Sequence, residues 1–447
     1  MDKIKRRKNT CIIILCTFLL ICSGFIYNDV YKIFAGGTGK VIKIGVFSDS
    51  YWEVQNGYSY QILNDAIDIF EEQNPGVKVE YVSGILKTDY SEWLSEQILD
   101  GNAPDIFFVL PEDFNNLAEV DVLKDISPLI EKDGTFVKEA FYSSAYEYGQ
   151  YNGHQYALPY ECAPKLMFVN KSILEKENLE MPSADWTWND FYKICKDVTK
   201  DTDGNSTLDQ FGTIGYTWKE AFESNGVQLF DEEGTSCYFT GEDVGEALSF
   251  IEQLNQLNEG YMISSKDFDL GKVAFQPMSF SAYRAYRPYP LSVKKYSGFE
   301  WECIPMPAGP NGDNISTLDT LRIAINKNTK NEKYAWEFMK MLTCDPQIQS
   351  EIFDYSEGVS VIKEVTESEQ TLESLFGNSG ESSSLNLKVL SDAVGNAVTA
   401  PEFRNYDDAM TEVDRAVKDI IDGDSNIIMK QSIWNREINK ILNNNDW

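Results

Sequence analysis

Between Val41 and Val109 the apolar pattern switches repeatedly between strand and helix periods, and this alternation restricts the fold more than any other feature. VIKIGVF (41–47) reads as a buried strand. GYSYQILNDAIDIFEEQ (57–73) sets Ile62, Leu63, Ala66, Ile67 and Phe70 on one helical stripe. Asn74-Pro75-Gly76 stops it. VKVEYV (77–82) is the next strand, a helix is expected over 90–100, and DIFFV (105–109) is a third strand. This order predicts an α/β fold: a parallel sheet with helices on both faces. Ligands of such sheets sit beyond the carboxyl ends of the strands.

The rest of the chain is mixed. YNGHQYALPY (151–160) predicts a turn at Asn152-Gly153 between extended arms, and KLMFVN (165–170) a strand. Helices are expected over 171–178, 187–200, 242–258, 332–343, 406–422 and 430–443. KVAFQPM (272–278), WECIPMP (301–307) and LRIAIN (321–326) read as strands, and the Glu- and Ser-rich segment 364–385 as loop. At 447 residues the chain is too long for one ordinary core, so two lobes are expected.

Charge and composition narrow the function. A net charge of −32 argues against nucleic acid, whose phosphates need a basic face. His154 is the single histidine, which leaves little for a Ser-His-Asp triad or a multi-histidine zinc site. Cys162, Cys195, Cys237, Cys303 and Cys344 are scattered and odd in number, so they read mainly as small buried hydrophobes.

The chain opens with Lys3, Lys5, Arg6, Arg7 and Lys8, followed by the uncharged run CIIILCTFLLICSGFIY (11–27). A basic flank before an apolar run marks a secretion signal or a membrane anchor. Ile21 is a bulky residue before Cys22, unlike a lipoprotein signal, and a small-x-small cleavage site is absent near the run's end. An uncleaved anchor is therefore preferred over lipidation or cleavage. In each version residues 28–447 lie on the extracellular face of the cell membrane.

Several landmarks then follow in order: Asn74-Pro75-Gly76 with VKVEYV, GNAPDIFFV (101–109), YNGHQYALPY, FVNKSILEKENLEMPSADWTWNDF (168–191), GKVAFQPM (271–278), CIPMPAGPNG (303–312) and AWEFMKMLT (335–343). Their collinear order resembles the extracellular solute-binding proteins of sugar ABC importers, the group that includes maltodextrin-binding proteins. The resemblance runs from about Val41 to the end. It implies a periplasmic-binding-protein-like fold of two α/β lobes with a hinge and an interlobe cleft. It implies a carbohydrate ligand, delivery to ABC transporter permease subunits, a monomer, and no required cofactor. Crossings between lobes are expected near Phe108–Glu112, Cys303–Met306 and Asn328–Glu332. Lobe 1 would take 41–110 and 306–330, and lobe 2 would take 111–305 and 331–447, after a leader and linker over 1–40.

Sugars present flat CH faces and hydroxyl rims, so a pocket for them needs aromatic platforms and fixed polar groups. Asp49, Tyr51 and Trp52 follow the first strand at its carboxyl end, where a cleft loop belongs. Glu112 follows the third strand and is a candidate for the cleft or for capping the hinge. The resemblance puts Tyr160 and Glu161, and Ser279, Tyr283 and Arg284, at positions that line the cleft in relatives. Trp218 and Phe222 lie on a helix and fit core or cleft equally. Asp319 stands where relatives often carry a small or aromatic residue, so its role is open. Trp186, Trp188 and Trp336 sit on the family's packing motifs and are expected in the core.

Asp201, Asp203, Asn205, Thr207 and Asp209 alternate as in a calcium loop, offering an oxygen at every second residue. Ser206 and Gly212 replace that loop's glycine and closing glutamate, and a polar turn gives the same pattern. A membrane-anchored sensor for a signalling partner is the alternative function. A carbohydrate-active enzyme with paired carboxylates is a further one, although no nucleophile elbow, phosphate loop or metal-ligand spacing is visible.

Overall fold

The computed structural model describes residues 39–52, 58, 60–231, 233–286, 299–376, 387–398, 403, 405–423 and 427–443. The apolar run 11–27, with the expected anchor, lies outside them. Among the described residues no helix is long and apolar enough to cross a membrane.

Strand β1 (Lys40–Gly45) buries Ile42 and Ile44 between exposed Val41 and Lys43, the period-two pattern that pins a strand's face. Helix α1 (Gln61–Gln73) buries Ile62, Leu63, Ala66 and Phe70 on one stripe. It stops where Asn74 leaves helical angles, with Asn74 Nδ2 donating to the Phe70 carbonyl at 3.0 Å. Gly76 then turns at φ +90° into β2 (Val77–Tyr81). Helix α2 (Lys87–Leu99) leads to β3 (Ile106–Val109), and α3 (Pro111–Glu119) follows. As predicted, β1 pairs in parallel with β2 and β3.

The long strand β4 (Ala157–Asn170) comes after a hairpin at Asn152-Gly153, both at positive φ. Beyond it lie α4 (Trp188–Val198), β5 (Phe211–Thr213), α5 (Trp218–Ser224), α6 (Glu242–Gln256), β6 (Val273–Ser279) and α7 (Phe280–Tyr286). Then come β7 (Trp301–Ile304), β8 (Leu318–Ile325), α8 (Glu332–Cys344), α9 (Ile352–Tyr355), β9 (Val359–Ser360), α10 (Leu387–Gly395), α11 (Tyr406–Ile421) and α12 (Ile427–Leu442). Residues 364–376, expected as loop, contain short helices over Lys363–Thr366 and Glu369–Phe376.

The sheet order is β2-β1-β3-β8-β4-β6-β5, with β7 and β9 also pairing with β4. The sequence reads β4 as two strands, but it is one of 14 residues that changes partners midway. Ala157–Pro164 pairs antiparallel with β8, and Lys165–Val169 pairs antiparallel with β6.

The buried side chains form two cores. The larger holds Ile42 to Leu158, Leu318 to Ile325 and Ala335 to Val394, together with one face of the β6–β7 sheet. The second holds Met167 to Phe275, Ile304, Met306 and Phe403 to Leu442. This packing differs from the lobe boundaries drawn from the sequence. Residues 111–158 and 335–394 return to the first core, because Phe114, Phe141, Trp336 and Phe338 bury there. The chain passes between cores inside β4, between Ile304 and Leu318, and between Val394 and Phe403. All five body cysteines are free thiols, and four are buried.

Candidate functional site

Loops after β1, the start of α1 and the 355–356 turn enclose a recess of about 590 Å³, open mouth included. Its wall carries Asp49, Ser50, Tyr51, Tyr58, Tyr60, Tyr160, Glu161, Tyr355 and Ser356. It lies beyond the carboxyl ends of β1 and β3, where an α/β sheet presents ligands to loops. Tyr60, on that wall, holds φ +67°, a costly conformation for a side chain of its size.

Asp49 is exposed, and its Oδ1 accepts the Lys87 N–H at 2.6 Å, which caps α2. Tyr51 is buried, with Lys87 Nζ 4.8 Å above its ring and Trp52 packed edge-on at 4.6 Å. Burial holds the Tyr51 hydroxyl well above its usual range. Tyr160 lines the recess but is only 7% exposed, its ring against Phe108.

Glu161 is 4% exposed and accepts the Ser356 hydroxyl at 2.5 Å. Burial pushes its carboxyl up to about 7; the Ser356 hydrogen bond opposes this and nearby Glu357 adds to it. Trp52 and Glu161 meet at Gly358. A Cβ there would lie 2.5 Å from Glu161 Oε2 and 2.9 Å from Trp52 Nε1, so any side chain would push one of them aside. The Trp52 indole N–H also acts on the Glu161 carboxyl, pulling its pKa down against burial.

A second cluster lies where β4 changes partners. Lys165 Nζ meets Glu220 Oε1 at 2.6 Å, and Glu223 Oε2 accepts the Thr317 N–H at 3.2 Å. Burial works against the Glu220 carboxylate, yet Lys165 and Thr217 hold its pKa below the usual value. Glu223 goes the other way, up to about 8, through burial and the neighbouring Glu220, despite Lys165. Asp319, opposite Ala163 on β8, is open to solvent yet crowded by protein. That crowding raises its carboxyl, against the pull of Lys165 and Lys87. Glu112 is exposed at the start of α3 and acts electrostatically on Tyr51 and on Asp407.

The remaining candidates fall elsewhere. Trp218 is 9% exposed in the second core, donating to Asp414 Oδ1 at 3.1 Å and packing on Phe222. Ser279 bonds Ser281 at 2.6 Å. Tyr283 lies on α7, but its side chain is outside the described residues. Arg284 was expected to face ligand. Its guanidinium donates to the carbonyls of Ile352, Phe353 and Gly358. Trp186, Trp188 and Trp336 are core, each N–H satisfied.

The 201–209 loop winds on Asp201, whose carboxylate accepts the N–H groups of Asp203, Gly204, Asn205 and Ser206. Asn205 Oδ1 accepts the Thr207 N–H at 2.8 Å. Carboxylate oxygens of Asp201, Asp203 and Asp209 lie within 4.8 Å of one another, a spacing that suits a hard cation.

Residues 51–347, about two thirds of the chain, match the family model described as bacterial extracellular solute-binding protein. The chain belongs to that family. This solute-binding protein is 22% identical over 320 residues to a maltotriose-binding protein of Pyrococcus abyssi, covering 70% of this chain and 64% of that relative. The alignment thus spans less than two thirds of the relative's length. Among solved structures, the fold matches the sugar-binding protein MalE of Xanthomonas citri with a TM-score of 0.73 at 16% identity, covering 90% and 97% of the two chains. It also matches an ABC substrate-binding protein of Listeria monocytogenes in complex with cycloalternan, TM-score 0.67 at 21% identity, covering 90% and 98%.

Several residues of this solute-binding protein's site escape sequence reading: Lys165, Glu220, Glu223, Ser356, Glu357 and Gly358. Lys165 and Glu220 lie 55 residues apart and Ser356 lies 195 from Glu161, so no local spacing signals either pairing.

Proposed function

We propose that this protein captures an oligosaccharide outside the cell and delivers it to the permease of an ABC importer, without catalysing a reaction. The recess carries the reading. Tyrosines supply faces for sugar rings, with half-buried Trp52 packed edge-on against Tyr51, while Asp49, Glu161 and Ser356 supply fixed hydrogen-bonding groups. The maltotriose and cycloalternan named for its relatives favour a chain of sugars over a single ring. The N-terminal apolar run would hold the receptor at the outer face of the membrane, as a monomer. Calorimetry against maltotriose, cycloalternan and other oligosaccharides tests this. At least one should bind, and Trp52→Ala should weaken it by about 1 kcal/mol. Sugars that are turned over, or none that binds, would defeat the reading.

A structural calcium in the 201–209 loop is the second part of the proposal, supported by the three converging carboxylates. Asp201, Asp203 and Asp209 would hold it and tie α4 to β5. Added calcium should raise the melting temperature of metal-stripped protein and leave sugar affinity unchanged. No shift would remove the site.

A further inference from the structure

The carboxyl edge of the sheet continues past the recess. In the order β2-β1-β3, β1 runs parallel to both neighbours, so β2 ends beside β1 on the side away from β3. The segment 82–87 that leaves β2 is tied to the recess wall at three points. The Ile85 carbonyl accepts the Ser48 N–H at 2.7 Å and the Ser48 hydroxyl at 3.0 Å. Asp49 accepts the Lys87 N–H, and the Gly84 N–H donates to the Tyr60 hydroxyl at 2.9 Å. Val82 and Leu86 on this segment are 57% and 48% exposed, so the edge beside the recess is apolar and open to solvent.

Two tyrosine pairs stand along the same edge. Tyr58 and Tyr355 have ring centroids 5.3 Å apart, and Tyr60 and Tyr81 have theirs 4.8 Å apart. Tyr58, Tyr60 and Tyr355 line the recess, whereas Tyr81 ends β2 beyond it. Both rings of the second pair are held in place, since the Tyr81 hydroxyl donates to Asn64 Oδ1 at 2.9 Å and Tyr60 is bonded to Gly84. Tyr60 stands at the start of α1 in the left-handed region, where its side chain gives the helix no cap and glycine would sit without strain. A half-buried ring kept at a costly backbone position and fixed by its hydroxyl points to a use for that ring.

The recess holds about 590 Å³, open mouth included, which is the size of a pocket for one drug-sized molecule. A longer sugar chain has to leave it, and the tyrosine edge is where the wall carries on. Rigid aromatic rings fixed before the ligand arrives cost little further ordering when a sugar face lands on them. Resting on the proposed capture function, we propose that Tyr58, Tyr60 and Tyr81 form an outer ledge that takes the further units of a linear oligosaccharide, so that the receptor selects for chain length.

The test compares maltotriose with maltohexaose by calorimetry on the full chain. The parent should bind maltohexaose about 20-fold more tightly, at about 1 kcal/mol for each of two further tyrosine stacks. Tyr58→Ala and Tyr81→Ala should each cut that preference about fivefold, the same 1 kcal/mol for one stack. Tyr81→Phe, which keeps the ring, should retain it. Tyr238→Ala, at a tyrosine 47% exposed and off the recess wall, should match the parent. Equal affinity of the parent for the two sugars overturns the ledge and leaves capture standing. A preference that survives both alanine variants also overturns it, as does a Tyr81→Phe that loses as much as Tyr81→Ala. A parent that binds neither sugar defeats capture of this sugar series and the ledge with it. Should Tyr81→Ala fail to fold, which a melting curve shows, Tyr58→Ala at the exposed ring decides.

Discussion

The recess around Glu161 and the junction around Glu220 each hold a deeply buried glutamate, 4% and 5% exposed, and treat it in opposite ways. Glu161 has a hydroxyl partner and the repelling Glu357, so burial wins and its proton is held up to about neutral pH. Glu220 has Lys165 at 2.6 Å and the Thr217 cap, so it stays ionised although burial opposes it. Equal burial does not fix the charge of a carboxyl; the partner does. The junction is built to hold charge in one arrangement. The recess keeps a carboxyl whose proton burial holds to about neutral pH.

The largest expected effect is at the junction. Lys165→Met leaves Glu220 buried without its partner and should cost about 2–4 kcal/mol in urea unfolding. The upper part of the range is discounted because the Lys165 side chain is 28% exposed. A cost below about 1 kcal/mol would mean that solvent already screens the pair, and the contrast with Glu161 would collapse.

Next comes pH at the recess. Glu161 moves from an ordinary 4.5 to about 7 in the folded chain. Between those values the native state holds a proton that the unfolded state has lost, so stability falls as pH rises from 4.5 to 7. The slope for this group is at most about 1.4 kcal/mol per pH unit. Glu161→Gln should flatten that part of the profile and gain on the parent at pH 8 relative to pH 5. Parallel profiles for the two proteins would show that Glu161 is ionised as readily as an exposed glutamate. Glu220 carries the opposite sign: its contribution is present above the unfolded value and fades as pH drops through its lowered folded value.

The smallest effect sharpens the junction itself. Thr217 caps α5 and donates to Glu220 Oε2 at 2.5 Å. Thr217→Ala should cost about 1 kcal/mol in thermal unfolding, the usual worth of such a cap. If it instead costs as much as Lys165→Met, the hydroxyl rather than the ammonium governs the carboxylate.

The β1-α1-β2-α2-β3 run was legible because each element buries a single face, so its period survives in the residues. Strand β4 was not legible as one piece. It is buried along nearly its whole length, so no alternation marks it, and Pro164 invites a break that the fold does not make. The packing of α3 and α8 on the first core was not legible for a related reason: it rests on long-range contacts that leave no trace in local pattern. At the site, Asp49, Tyr51, Tyr160 and Glu161 do gather on one recess, as loops after strand ends should. The three carbonyls that Arg284 meets left no mark in the sequence, since they come from residues 352–358. Gly358 carries no local signal, since the groups that crowd it come from residues 52 and 161.

The unbridged cysteines bear on chemical durability. Burial holds the Cys162, Cys195 and Cys303 thiols well above their usual range, so almost none is thiolate at neutral pH. The thiolate is the form that peroxides and disulfides attack. A receptor built this way can sit in an aerated medium and be neither crosslinked nor oxidised through its core.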